Sequence, residues 1–204
     1  MDERRTRIKV CGLTRVDDAM ACARFGADFI GLVFVDTSPR HVTVTRAIEI
    51  VRASRDVGPV SIVGVFRKED PVPVRETARE VGLDMVQLHG DIDDDAIASI
   101  GVPVIKAYAV GANVPHVGAH PSAAWSLFDN GGGGTGRVFD WSLLAGRVGQ
   151  RPFFLAGGLT ADNVGEAIRR VQPDAVDVST GVESAPGIKD PMKVRAFIEK
   201  VRAA

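Results

Sequence analysis

Short apolar runs recur along the chain at 8–11, 29–34, 60–66, 85–89, 104–108, 125–129, 153–156 and 175–179, nearly all followed by a longer stretch with apolar residues at helical spacing. That alternation predicts βα units with parallel strands. Helix starts are marked by Thr160-Ala161-Asp162-Asn163 and by Asp190-Pro191, where capping side chains precede a helical pattern. The weak stretch is 111–121, where Pro115 and Pro121 stand among glycines and histidines, and a degenerate fifth helix is expected there. No composition shift divides the chain, so one domain over 1–204 is the simplest organisation. Eight βα repeats fit a closed (β/α)8 TIM barrel with eight helices; an open doubly wound sheet, which usually has five or six strands, is the alternative.

In a closed barrel, alternate strand residues face either the helices or the interior. Taking Ile8, Val10, Val86 and Leu88 as outward turns Lys9, Cys11, Gln87 and His89 inward, and the same reasoning assigns Lys106, Asp129, Asp177 and Ser179 to the interior. Buried polar groups are costly unless paired. Strands one and eight become neighbours on closure, and Lys9 and Asp177 lie at similar depth, which predicts an ion pair. It either closes the seam or tunes the site electrostatically.

Composition narrows the function classes. The net charge is −1, with 45% hydrophobic and 25% charged residues, so nothing points to nucleic acid. No run reaches the roughly 20 apolar residues needed to cross a bilayer, and the first residues lack the apolar run of a signal peptide; no membrane partner and a cytoplasmic location are expected. Cys11 and Cys22, the two cysteines, lack metal-site spacing and read as free thiols.

Barrel enzymes work at the C-terminal ends of their strands. Cys11 ends strand one before Gly12, with Lys9 and Lys106 as candidate cations favouring its thiolate, which makes it a candidate base rather than only a small buried apolar residue. Cys22 falls on the apolar face of the first helix and reads as structural. Asp129 ends strand six before a glycine-rich run at 131–136, and is a candidate acid if it does not merely cap its loop. Gly157 and Gly158 follow strand seven; Ser179, Thr180 and Gly181 follow strand eight. Glycines at these two exits let backbone N–H groups approach a phosphate, helped by a short helix expected near Gly181, although any βα turn can need a glycine. Arg40, stiffened by Pro39, suits a carboxylate, or is simply a solvated loop arginine.

Together these residues resemble phosphoribosylanthranilate isomerase along essentially the whole chain. The resemblance rests on Ile8-Lys9-Val10-Cys11-Gly12-Leu13-Thr14, on 26–34 with Ser38-Pro39-Arg40, on Val86-Gln87-Leu88-His89-Gly90, on Leu127-Phe128-Asp129 leading to 133–136, and on Leu155-Ala156-Gly157-Gly158-Leu159. It implies an Amadori rearrangement of N-(5-phosphoribosyl)anthranilate in tryptophan biosynthesis, with no metal and no organic cofactor. Asp129 would protonate the ring oxygen and Cys11 would remove the C2 proton. Arg40 would hold the anthranilate carboxylate, His89 would line the pocket, and Gly157, Gly158, Ser179, Thr180 and Gly181 would cradle phosphate. The family usually has a second serine where this chain has Thr180, a change that keeps the hydroxyl. The expected partner is a small phosphorylated substrate, with the chain acting as a monomer or a homodimer. The rivals are an aminoaldose isomerase of histidine biosynthesis, a metal-dependent epimerase using His89, Asp129 and Asp177, and a catalytically silent barrel that binds a phosphorylated ligand.

Overall fold

The computed structural model of the chain describes residues 5–67, 70–110, 120–131, 138–144 and 152–204. Eight strands form a closed barrel in chain order: β1 (Arg7–Cys11), β2 (Phe29–Val33), β3 (Ser61–Arg67), β4 (Met85–His89), β5 (Val104–Ala109), β6 (Trp125–Asp129), β7 (Phe153–Leu155) and β8 (Ala175–Val178). All pairs are parallel, and β1 bonds to both β2 and β8. Every run expected from the apolar pattern is a strand, with ends that agree to within one residue. The open-sheet alternative falls with the β1–β8 pairing.

Six α-helices lie among the described residues, against the eight expected: α1 (Val16–Phe25), α2 (Val44–Val57), α3 (Pro71–Val81), α4 (Asp94–Ala98), α5 (Val164–Val171) and α6 (Pro191–Arg202). Between β6 and β7 the described residues include a 3-10 turn at Trp141–Leu144. Of 111–121, the expected degenerate fifth helix, only His120 and Pro121 are described, in a bend and turn. After β8 comes an unanticipated hairpin, β9 (Glu183–Ala185) with β10 (Ile188–Lys189).

The helices bury one face because their apolar residues recur at helical spacing: Ala47, Ile50 and Val51 on α2, continued by Ser54 whose hydroxyl donates to Ile50 O, and Val194, Phe197, Ile198 and Val201 on α6. Each large apolar side chain so buried contributes about 1.5–3 kcal/mol. Asp190 caps α6 as expected, accepting from the N–H groups of Met192 and Lys193, with Pro191 in the first turn. Asn163 begins α5 without capping it; its side chain accepts from Thr160 N–H and donates to Gly158 O, pinning the loop after β7.

Strand residues alternate between two cores. Ile8, Val10, Ile30, Leu32, Val86 and Leu88 pack outward against the helices, while Phe29, Val63, Ile105, Leu127 and Phe154 fill the interior. At the N-terminal end the interior is closed by Phe29, Trp125 and Phe154 in edge and tilted contacts, with the Arg7 guanidinium 4.3 Å from the Trp125 ring centroid. A repeated device fixes the strand starts: Asp28, Asp84 and Asp174, each just before an even strand, accept the N–H of Ile8, Ile62 and Phe153 on the preceding odd strand. At the same place before β6 stands Ala124. A cavity of about 410 Å³ at this end is lined by Asp28, Arg55, Ser61 and Asp84, but its carboxylates are already spent on these N–H groups and on arginines.

The interior assignments hold for Lys9, Gln87 and Asp177, but not for Lys106. Lys106 pairs in register with outward Leu88, between outward Val104 and Tyr108, so it faces away from the barrel interior. Its ammonium donates to Gly90 O and Ala107 O and sits 4.9 Å from the Tyr108 ring centroid. Ile105 and Ala107 take the inward positions instead.

Candidate active site

At the C-terminal mouth of the barrel lies a cavity of about 670 Å³. Its wall includes Cys11 from β1, Gln87 and His89 from β4, Asp129 from β6, Asp177 from β8, and Arg40, Gly157, Gly158, Ser179 and Thr180 from the loops. Of the residues expected from the sequence to be catalytic or to bind substrate, all line it except Gly181. That glycine lies where the loops after β7 and β8 touch: a Cβ there would be 2.0 Å from Leu159 O. It holds the two loops together rather than lining the cavity.

The local fold explains each placement. Cys11 is the last inward residue of β1, and its register partner on β2 is Gly31. A Cβ on Gly31 would stand 2.7 Å from the sulfur, so the glycine makes room for the thiol. One layer below, Lys9 Nζ donates to Asp177 Oδ2 at 3.0 Å, the predicted ion pair, with the lysine fully buried. Burial opposes the charge on Lys9, but Asp177, with Cys11 beside it, outweighs burial and holds the ammonium above its usual range.

For Cys11 the balance goes the other way. Burial pushes the thiol up, and the nearby Lys9 and Lys189 ammonium groups only partly offset it. The expectation that cations make it a resting thiolate is therefore corrected: at neutral pH the side chain is a thiol. Lys106, the second cation expected to help, faces the outer layer. Cys22 is buried on α1, with its thiol pushed up to about 12 mainly by burial, as befits a structural residue.

Asp129 is half-buried. Burial raises its carboxyl above the usual carboxylate range, against the opposing Gly131 N–H that it accepts and the Lys9 charge. Such a group stays protonated to a higher pH than an exposed aspartate and can donate a proton. His89 is pushed down to about 4, first by burial and then by the charges of Lys9, Lys106 and Arg67, so the ring is neutral. Its Nε2 lies 2.7 Å from Gln87 Nε2, which donates to it. Gln87 Oε1 and Asp177 Oδ1 are buried acceptors with no partner among the described residues, and both belong to residues of the cavity wall.

The loops after β7 and β8 carry the anion-binding candidates. Gly157 and Gly158 have φ of +87° and +69°, a backbone shape that favours glycine. The short helix expected near Gly181 is a single 3-10 turn, Thr180–Val182, too short for a substantial dipole, so any anion there must be met by individual N–H groups.

Arg40 is no solvated loop arginine. Its Nε and Nη2 donate to Glu183 Oε1 and Oε2 at 2.8 and 2.7 Å. Its stem crosses Gly12, where a Cβ would be 2.5 Å from Arg40 Cδ. Sequence reading gave no role to Glu183, Lys189, Gly31 or Arg67. Arg67 lines the mouth in register with His89; extending β3 by one residue at the same alternation would have found it. Among the described residues, no three His, Cys, Asp or Glu side chains gather closely enough to hold a metal ion, so His89, Asp129 and Asp177 do not form a ligand triad. No described helix is long and apolar enough to cross a membrane.

Comparison with known proteins gives the same picture from another direction. Residues 8–200 match the family model described as N-(5'-phosphoribosyl)anthranilate (PRA) isomerase. The N-(5'-phosphoribosyl)anthranilate isomerase of Pseudomonas aeruginosa (strain LESB58) is 48% identical over 204 residues, covering 97% of this chain and 95% of that protein. The crystal structure of phosphoribosyl anthranilate isomerase from Thermus thermophilus superposes with a TM-score of 0.87 at 33% identity, over 97% of this chain and 99% of the other. Another phosphoribosyl anthranilate isomerase, solved in complex with reduced 1-(o-carboxyphenylamino)-1-deoxyribulose 5-phosphate, gives 0.82 at 35% identity, over 98% of this chain and 100% of the other.

Proposed function

The chain belongs to the N-(5'-phosphoribosyl)anthranilate isomerase family, and from that premise we propose that Cys11 and Asp129 are the base and acid of its reaction. The reaction is the Amadori rearrangement of N-(5-phosphoribosyl)anthranilate to 1-(2-carboxyphenylamino)-1-deoxyribulose 5-phosphate, a step of tryptophan biosynthesis. Membership sets aside the histidine-pathway aminoaldose isomerase and the metal-dependent epimerase as families for this chain. The observation that carries the residue assignment is that Cys11, on β1, and Asp129, on β6, line one cavity with the glycine loops that follow β7 and β8.

The chemistry follows from those positions. Asp129, whose carboxyl burial raises above the usual carboxylate range, gives a proton to the furanose ring oxygen as the C1–O bond breaks. The anilino nitrogen supplies the electron pair and becomes an iminium. That cation lies beside Cys11, where it lowers the thiol that burial had raised. The thiol gives its proton to solvent at the open mouth and becomes the thiolate, while the Asp129 carboxylate regains a proton from solvent at the end of the cycle. The sulfur takes the C2 proton, the C2–H pair becomes the C1=C2 bond, and the iminium is neutralised. The resulting enolamine tautomerises to the ketone. Each of the two groups is asked for about 10²- to 10⁴-fold.

The remaining wall orients the substrate. Arg40 meets the anthranilate carboxylate, and the N–H groups of Gly157, Gly158 and Thr180, with the hydroxyls of Ser179 and Thr180, meet the phosphate. Gln87 Oε1 and Asp177 Oδ1, otherwise unpartnered, accept from ribose hydroxyls, and neutral His89 lines the sugar subsite. The chain acts in the cytoplasm as one catalytic domain over 1–204, as a monomer or a homodimer, without metal or organic cofactor. Supplying purified protein with freshly made phosphoribosylanthranilate should give rapid loss of anthranilate fluorescence with formation of the ketose. No acceleration over the buffer blank would refute this.

A further inference from the structure

We propose that Glu183 is the positioning residue for Arg40, clamping the guanidinium so that its free edge is presented to the substrate's aryl carboxylate. The inference rests on the reading of Arg40 as the carboxylate site and goes beyond it, because it assigns a role to a residue that need not touch the substrate.

The geometry is a relay of three charges. Both oxygens of Glu183 are used by Arg40, and Oε1 also accepts from Lys189 Nζ at 2.8 Å and from Gly187 N–H at 3.3 Å. The Glu183 and Lys189 side chains are 6% and 1% exposed, so neither is free to swing. Lys189 is anchored in turn, its ammonium on Ser179 O at 3.2 Å and its backbone N–H on Asp18 Oδ2 at 2.9 Å. Arg40 Nη1 donates to none of the described residues, and Arg40 lines the cavity.

An arginine on a loop after β2 would otherwise lose side-chain freedom on meeting a ligand. Here that ordering is done in advance, by Glu183 on one side and by the Gly12 surface under the stem. Glu183 is shared between Arg40 and Lys189, so its charge is not spent on Arg40 alone. Burial works against the Glu183 charge, but Arg40 and Lys189 outweigh it and hold its carboxyl below the usual range, so the clamp stays ionised at neutral pH. The opposite role, a gate in which Arg40 swings away before substrate binds, would break both of its hydrogen bonds to Glu183 and take from Oε2 the donor it has here.

The test compares two probes: reduced 1-(2-carboxyphenylamino)-1-deoxyribulose 5-phosphate and its phenylamino counterpart lacking the carboxylate. Their Kd values are measured by calorimetry for wild type, Glu183→Gln, Glu183→Asp, Arg40→Met and the Glu183→Gln/Arg40→Met pair. A clamp predicts that Glu183→Gln weakens the carboxylate probe tenfold or more and the other probe less than about threefold, with KM raised and kcat nearly unchanged. Glu183→Asp, which keeps the charge, should fall between, and it carries the comparison if the glutamine variant does not fold. The double variant should be no worse than Arg40→Met alone. Equal weakening of both probes, or tighter binding of the carboxylate probe, would overturn the clamp. If Arg40→Met keeps full discrimination between the probes, the Arg40 assignment itself fails and the clamp falls with it.

Discussion

The ammonium of Lys9 lies 3.0 Å from Asp177 Oδ2 across the seam where the first strand meets the last, with the lysine wholly shielded from solvent. The pair closes the ring of strands directly beneath Cys11, so the same two charges serve the fold and set the field at the thiol.

Removing one partner strands the other. Lys9→Met or Asp177→Asn should cost about 3–5 kcal/mol of stability, read from urea unfolding. Because the Lys9 ammonium is held above its usual range, its contribution is complete below the unfolded-state value of ~10.4 and is lost only as pH rises through the folded one. A midpoint unchanged in either variant would show that the pair carries no such load.

His89 gives an acid-side signature. Its folded value is about 4, below the ~6.5 of an unfolded chain, so the unfolded state binds the extra proton and stability falls as pH drops from 6.5 through 4. The loss from this group amounts to about 3 kcal/mol below both values. Unfolding measured at pH 7 and pH 4.5 should show a smaller difference in His89→Asn than in wild type. An identical pH dependence would contradict the neutral, buried ring.

Gly31 has no chemistry of its own, yet a methyl group there would press on the Cys11 sulfur at 2.7 Å. Displacing a reacting group by about 1 Å can cost on the order of 10²-fold in rate. Gly31→Ala should therefore lower kcat by about 10- to 100-fold while leaving inhibition by inorganic phosphate unchanged. Full activity would mean that the thiol's position is not constrained from β2.

Much of this was legible in the sequence, for identifiable reasons. Barrel strands are covered on both faces, so their apolar runs stand out, and the period of two correctly turned Lys9, Cys11, Gln87, Asp129 and Asp177 inward. The same rule fails at Lys106, where polarity does not mark the interior. A lysine stem can cross apolar surface and deliver its charge elsewhere, here to Gly90 O in the loop after β4. Arg67 escapes the pattern because the apolar run ends at Phe66, while β3 continues one residue further. The Arg40–Glu183 contact joins residues 143 positions apart; no local pattern announces it, and only barrel closure brings those loops together. The raised Cys11 thiol was equally hidden, because burial, which no spacing rule measures, outweighs the nearby cations.

The central claim, that a thiol on β1 and a carboxyl on β6 divide the proton transfers, is tested most directly by single-turnover rates of Cys11→Ala and Asp129→Asn, measured beside their affinity for the reduced product analogue. Each rate should fall about 10²- to 10⁴-fold with analogue affinity kept within about threefold. A rate within tenfold of wild type in either variant would contradict the assignment.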